Sequence, residues 1–445
     1  MSGIDLADSV IYGHLWATDE TRALLGDAGR TSAWVRIIAA LAEVQGELGV
    51  IPEAAAAELA RLDGTVDLEA VGEETRASGH STLGLIRVLR RGLGPEAAEW
   101  IYYGATVQDV TDTWFGLVMR DVLDLAEREL LAIETALLRR ASEHRDTPML
   151  GRTHGQPGLP ITFGFKAAVW AAEVGRHLDR IGEARPRLAV GQLAGAVGTL
   201  SAWGDAGPEL QRRLMSRLGL GVPETSWLTA RDRIAEYVTL LALVTGTLAK
   251  IGNEVYNLQR PELGELSEAP TPGVVGSITM PQKRNPERSE HLWTLARLVR
   301  SDAGLALEGL VGEHERDGAA WKTEWAIVPQ ATAAAATALT LARELVEGLR
   351  VDARRMQANL DAQRGYVLAE PAMLALAQRV GKHRAHELVQ RAALAGQEAD
   401  VTFAEALAAD PEIAALLPQT DLRVEQALGA ARTTVDDVIA RRRSR

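Results

Sequence analysis

There is no cysteine among the 445 residues of this chain. Disulfides, thiol nucleophiles and cysteine-type zinc sites are therefore excluded. Aromatic residues are scarce, at 4%, and strand-like alternation of apolar and polar residues is scarce throughout, so nothing argues for a β-sheet core. A phosphate loop and a dinucleotide fingerprint are both missing. His314 and Glu315 are adjacent and do not have the His-Glu-x-x-His spacing of a zinc protease. Lys and Arg number 48 against 60 Asp and Glu, a formal net charge of −12. A general nucleic-acid-binding role fits that balance badly, and an anionic substrate needs a locally basic pocket. The opening Met1-Ser2-Gly3-Ile4-Asp5 lacks the basic and apolar regions of a signal peptide. No apolar run reaches membrane-spanning length. A soluble cytoplasmic protein is expected.

What the sequence does contain is helical periodicity. Trp34, Ile37, Ile38, Leu41, Val44 and Leu48 recur at three- and four-residue steps and stop near Gly49 and Pro52, the pattern of a core-facing helix. Similar blocks run from Thr111 to Ser142, from Pro160 through Leu178, from Arg233 to Leu258, from Pro286 past Leu310, and from Ala331 to Leu349. Long apolar helices with little polar face bury themselves against many neighbours. A bundle extended by partner subunits meets that need. The expected fold is all-α: a helical domain over 1–103, a long-helix bundle over 104–350 and a small helical domain over 351–445. Internal repeats and low-complexity linkers are not seen.

The densest chemistry lies in Gly276-Ser277-Ile278-Thr279-Met280-Pro281-Gln282-Lys283-Arg284-Asn285-Pro286, with Glu290 four residues on. Gly273 and Gly276 permit backbone conformations closed to other residues, and Pro286 suits the first turn of a helix. Lys283 offers a point charge to an anion and Asn285 an amide. A serine, a lysine and a glutamate near glycines would by themselves suit an ordinary surface loop. The full string resembles the signature of the fumarase/aspartase superfamily, Gly-Ser-Ser-x-Met-Pro-x-Lys-x-Asn, with Ile278 in place of the second serine.

Two further segments extend the resemblance. Thr153-His154-Gly155-Gln156 is similar to the superfamily's Thr-His-x-Gln string. The resemblance makes His154 a substrate-binding or proton-transferring residue and Glu290 its orienting carboxylate. A carboxylate beside imidazole favours imidazolium, the form that donates a proton. Gly104-Ala105-Thr106-Val107-Gln108-Asp109 reads by itself as a helix start capped by Thr and Asp. It also resembles a loop whose threonine grips the substrate carboxylates, and a helix amino terminus is an anion site in its own right.

The resemblance implies β-elimination from a substituted succinate, most often with release of fumarate. Ser277 is the general base, acting as its alkoxide. Thr106, Thr153, Lys283, Asn285 and Arg316 bind substrate, and an aci-carboxylate dianion forms against this polar array. Neither a metal nor an organic cofactor is needed. Three chains of a homotetramer build each site, so an isolated monomer is expected to be inactive.

The run from Glu254 to Glu265 resembles the adenylosuccinate lyase branch, which also holds the 3-carboxy-cis,cis-muconate cycloisomerases. Glu313 to Trp325 and Asn359 to Glu370 look more like the cycloisomerase side. Ala319, Ala320, Trp321, Lys322 and Trp325 stand where adenylosuccinate lyases carry a serine-rich stretch ending in arginine, so a nucleotide substrate is disfavoured. His154 stands where bacterial cycloisomerases often carry Trp, which favours an eliminating lyase. Ala230 stands where relatives often have Gln, just before Arg231. The expected activity is carbon–nitrogen lysis of an N-substituted aspartate-like dicarboxylate or tricarboxylate. The alternative is lactonisation of the cycloisomerase type. A silent structural homologue would be expected to have lost one of Ser277, His154, Lys283, Asn285 or Glu290. His383 and His386 suit a surface or core role, and Arg441 to Arg445 a solvated helix end.

Overall fold

The computed structural model describes residues 6–271, 273–417 and 422–443. The Met1–Asp5 opening and the last two residues of the basic tail lie outside the described residues. Helix accounts for 70% of the described residues and strand for 4%, an all-α fold.

The periodic stripes became helices. The first is α1 (Asp27–Glu47), with Trp34, Ile37, Ile38, Leu41 and Val44 buried and Gly49 in the left-handed region after it. A 37-residue helix, α2 (Val107–Glu143), follows; at 1.5 Å per residue it is about 55 Å long. Then come strands β1 (Pro148–Thr153) and β2 (Gln156–Thr162), α3 (Phe163–Leu188), α4 (Gly207–Leu218) and α5 (Asp232–Gln259). Strand β3 (Leu266–Ser267) precedes α6 (Glu287–Glu308) and α7 (Gly318–Glu347). Strand β4 (Arg350–Val351) pairs antiparallel with β3 and leads into α8 (Ala353–Asp361). The last helix is α9 (Ala431–Arg443).

Helix α7 starts at Gly318, well before the alanine-rich stripe, and carries Pro329 inside it. The missing proline N–H removes one ladder bond but does not end the helix. Helices α5 and α7 are long and apolar enough to cross a membrane by length and composition. In each, 67% of the apolar window is buried inside the protein, as core helices require.

The chain forms two compact units whose divisions fall within the long helices. One comprises residues up to Glu129, His177–Leu248 and Leu292–Thr340. Trp227, Tyr237 and Phe115 are among its fully buried side chains. Each such side chain contributes roughly 1.5–3 kcal/mol relative to exposure. Their polar atoms are satisfied: Trp227 Nε1 donates to Gly191 O at 2.9 Å, and the Tyr237 hydroxyl shares a 2.8 Å bond with Thr332.

The other unit comprises Leu130–Arg176, Ala249–His291 and Leu341–Arg445. One core gathers around Leu376, Leu388 and Phe403. A second packs Ala141, Ala167 and Ala168 against Val435 of α9. Arg442 departs from the expected solvated helix end. Its side chain is 11% exposed and donates to Glu134 at 2.5 Å, with Gly175 leaving room for the guanidinium.

Candidate active site

Each unit holds one cluster of the residues singled out above. In the first, Asp109 in the opening turn of α2 reaches back to the Thr106 N–H at 2.9 Å. This is half of a capping box, and it sets the start of the helix. The same carboxyl accepts the N–H groups of Ala194 and Gly195 at 2.8 and 3.1 Å. Gly195 has φ +77°, a conformation that favours glycine. Burial pushes the Asp109 carboxyl up to about 7, against the pull of these N–H bonds towards the ionised form.

Arg316 closes over this helix start. Its Nη1 donates to the Thr106 hydroxyl at 2.8 Å and its Nε to Gln108 Oε1 at 3.2 Å. Gln108 in turn donates to Leu228 O at 2.8 Å. With one lone pair of Thr106 held by Arg316, its own O–H proton is directed elsewhere. The Arg316 guanidinium lies 5.6 Å from the Trp321 ring centre, and Trp321 meets Trp325 edge-on at 4.8 Å. Tyr102, in the left-handed region at φ +64°, has a buried hydroxyl with no hydrogen-bond partner among the described residues. Burial and the neighbouring Asp109 charge raise its pKa, so the phenol remains a donor.

Beneath lies a buried ion triad. Arg231 donates to Asp112 at 2.8 and 3.1 Å and to Glu324 at 2.8 Å. All three side chains are at most 3% exposed. Burial raises both carboxyls, and Arg231 opposes the shift. Two carboxylates with one guanidinium leave a formal charge of −1 when ionised, so the group tolerates no further loss of positive charge.

In the second unit His154 occupies the tip of the β1–β2 hairpin. Thr153 pairs with Gln156, and the two turn residues have φ +52° at His154 and +74° at Gly155. Two consecutive positive φ values are the mark of a type I′ turn. Thr153 and His154 are exposed there. The hairpin is held from below by Arg152, which grips Glu265 bidentately at 2.7 and 2.8 Å. Asn359 of α8 donates to the same carboxylate at 2.8 Å, so residues of two branch-resembling runs meet under the turn.

The glycine loop folds tightly on itself. A Cβ at Gly276 would fall 2.6 Å from Lys283 O, which leaves glycine as the fitting residue. Ser277 Oγ accepts the Met280 N–H at 3.0 Å. Lys283 is exposed and has no carboxylate partner among the described residues, while Asn285 donates to Glu287 at 3.1 Å. Glu268 caps α6 by accepting the Ser289 N–H at 2.8 Å and its hydroxyl at 2.7 Å. Glu290 is exposed in the first turn of α6.

The structure thus brings Thr106 to Arg316, and Ser277, Lys283 and Asn285 into one loop. It forms no hydrogen bond or ion pair between His154 and Glu290 within the chain. Sequence reasoning placed Asp109 as a cap of this helix start, which the bond to Thr106 bears out, but missed its bonds to Ala194 and Gly195. It also missed Gln108, Tyr102, the Arg231 triad and the Arg152–Glu265 brace. Among the described residues no group of three or more His, Cys, Asp or Glu converges as a metal-binding set. His383 and His386 are both exposed.

Comparison with known proteins matches residues 16–300 to a family described as lyase and residues 365–438 to the adenylosuccinate lyase C-terminus. The chain is 39% identical to N-acetyl-S-(2-succino)cysteine lyase of Dickeya dadantii, covering 98% of this chain and 97% of that protein. It is 36% identical to 3-carboxy-cis,cis-muconate cycloisomerase of Pseudomonas aeruginosa, with the same 98% and 97% coverage. Among solved structures it resembles a fumarate lyase from Mesorhizobium sp. BNC1, with TM-score 0.88 and 37% identity over 96% of this chain and 98% of that one.

Proposed function

The chain belongs to the fumarase/aspartase superfamily of lyases, and from that premise we propose that it cleaves an S-(2-succinyl) thioether, releasing fumarate and a thiol. The observation that carries this reading is the intact Ser277–Lys283–Asn285 loop in a chain similar over its whole length to a succinyl-thioether lyase. Sulfur replaces the nitrogen expected from the signatures alone.

The Ser277 alkoxide takes the proton from the carbon beside a succinyl carboxylate. Lys283 and Asn285, with the Thr106 hydroxyl contributed by another chain of the assembly, hold the resulting dianion. The C–H electron pair becomes the new C=C bond, and the C–S pair leaves on sulfur. A thiol has a pKa of about 8.5 and departs as thiolate without a proton donor, whereas an amine does not. His154 therefore acts chiefly in binding and orientation.

The site is completed in a homotetramer, in which His154 of one chain meets Glu290 of another. Leu243 of α5 and Trp293, Leu305 and Leu307 of α6 are 46–51% exposed in the single chain, apolar surface of the kind that partner helices cover. A second reading, intramolecular cycloisomerisation, is favoured by the Pseudomonas relative.

The test is incubation of purified protein with an S-(2-succinyl)-N-acylcysteine, following fumarate by ultraviolet absorbance and thiol with a colorimetric reagent. Stoichiometric fumarate and thiol, absent with Ser277→Ala, support the proposal. A lactone from carboxymuconate with no thiol from the thioether supports the second reading.

A further inference from the structure

We propose that a cleft framed by α1, α2 and α4 is a binding site for a small organic oxyanion, which neither the lyase reading nor any motif accounts for. Its volume is about 330 Å³, and its lining includes Arg36, Glu43, Arg120, Arg217, Leu62 and Leu218. That is the lower end of small-molecule sites. Three guanidinium groups face one carboxylate, in a chain whose formal net charge is −12.

The single carboxylate is already engaged. Glu43 pairs with Arg217, which also donates to Glu47 at 2.6 Å. Arg120 is fixed by Asp121 at 2.8 Å and by its own bond to Leu218 O at 2.8 Å. Arg36 has neither an ion-pair nor a hydrogen-bond partner among the described residues. It lies seven residues before Glu43 on α1, so both project from one face of the helix. An adjoining cleft is lined by Arg212, Arg213, Arg217, Ser216 and Glu47. Its arginines are neutralised by Glu209 and Glu47, which leaves Arg36 as the group that an anion would pair.

Arg217 and Arg120 have carboxylate partners, so Arg36 is the guanidinium of the cleft left without a counter-ion among the described residues, and an incoming anion supplies one. The planar guanidinium fork suits carboxylate or phosphate oxygens in pairs. Leu62 and Leu218 give the floor an apolar character that a hydrated inorganic ion does not use. The ligand class is therefore a compact hydrocarbon bearing a carboxylate or phosphate.

The experiment is isothermal titration of the full-length protein at low ionic strength with phenyl phosphate and, separately, with phthalate. At least one probe is expected to bind. Arg36→Gln should weaken that binding tenfold or more, while Arg379→Gln, which removes an exposed arginine elsewhere, should not. Arg36 is exposed and unpaired, so the variant keeps its fold and its kcat with the succinyl substrate. The probe that responds identifies phosphate or carboxylate as the preferred group. Failure of both probes to bind, or equal binding by the wild type and Arg36→Gln, overturns the proposal whatever the lyase substrate proves to be.

Discussion

Arg316 donates to the hydroxyl of Thr106 at 2.8 Å across 210 residues of sequence. A second bond, to Gln108 at 3.2 Å, locks the guanidinium plane against the start of α2. The threonine hydroxyl is thereby a directed donor at a helix amino terminus, where N–H groups already favour an anion.

Replacing Arg316 with Gln removes both bonds and lets the Thr106 hydroxyl turn away. A charge-assisted hydrogen bond contributes about 1.5–3 kcal/mol, so kcat/KM should fall by one to two orders of magnitude. Circular dichroism should show the helical content unchanged. A fall of less than threefold would remove Arg316 from the binding machinery.

Ser277→Ala should nearly abolish turnover with little effect on stability. The Ser277 side chain makes one hydrogen bond in a partly exposed loop, accepting from Met280 at 3.0 Å. Losing it costs about 1 kcal/mol. The check is steady-state kinetics beside denaturant unfolding, and normal kcat in a folded variant would rule Ser277 out as the base.

Asp109 gives a pH dependence of defined sign. Its folded value is pushed up to about 7 from an ordinary 3.8, so the folded state holds a proton that the unfolded state releases. Its contribution to stability is complete below about pH 4 and is lost as pH rises through about 7. Relative to Asp109→Asn, the wild type should lose on the order of a few kcal/mol over that window. Denaturant titrations of both proteins at several pH values measure the difference, and a difference that stays flat with pH refutes the shift.

The Arg231 triad should be costly to break. Arg231→Met leaves Asp112 and Glu324 buried without their cation, a loss of about 3–5 kcal/mol at neutral pH. Burial already raises both carboxyls, and removing Arg231 raises them further. The penalty should therefore shrink as pH falls and the two groups take up protons. Thermal unfolding of wild type and variant at pH 5 and pH 8 tests this; a penalty that grows in acid contradicts it.

The long helices were legible because Trp34, Ile37, Ile38, Leu41 and Val44 repeat at the helical period and all face the core. The β1–β2 hairpin was not, since Pro148, Gly151, Pro157, Gly158 and Pro160 interrupt any alternation and a histidine occupies the first turn position. The loop bearing Ser277 was legible through its resemblance to a signature. The triad was hidden because Arg231 finds its partners 119 and 93 residues away. Pairing at that range leaves no local periodicity, and a lone buried arginine reads in sequence like any surface one.

Leaving-group choice gives the sharpest test of the proposed reaction. Departing thiolate needs no proton, while a departing amine must be protonated, so the two substrates depend differently on His154. With an S-succinyl substrate, His154→Gln should lower kcat/KM by roughly tenfold, the loss of one orienting hydrogen bond. With an N-succinyl analogue the wild type should be slower, and the same substitution should cost at least a further tenfold. Adenylosuccinate should not be cleaved. The Arg316 guanidinium is committed to Thr106, Gln108 and the face of Trp321, and Trp321 is 8% exposed. No hydroxyl stands at Ala319 or Ala320 to receive a phosphate. Burying that phosphate without partners costs several kcal/mol, on the order of 3–5 for a buried charge that has lost its partner. The measurement is kcat/KM for the three substrates with wild type and His154→Gln. Equal His154 dependence for sulfur and nitrogen would remove the thiolate argument, and efficient adenylosuccinate cleavage would replace the proposed substrate class.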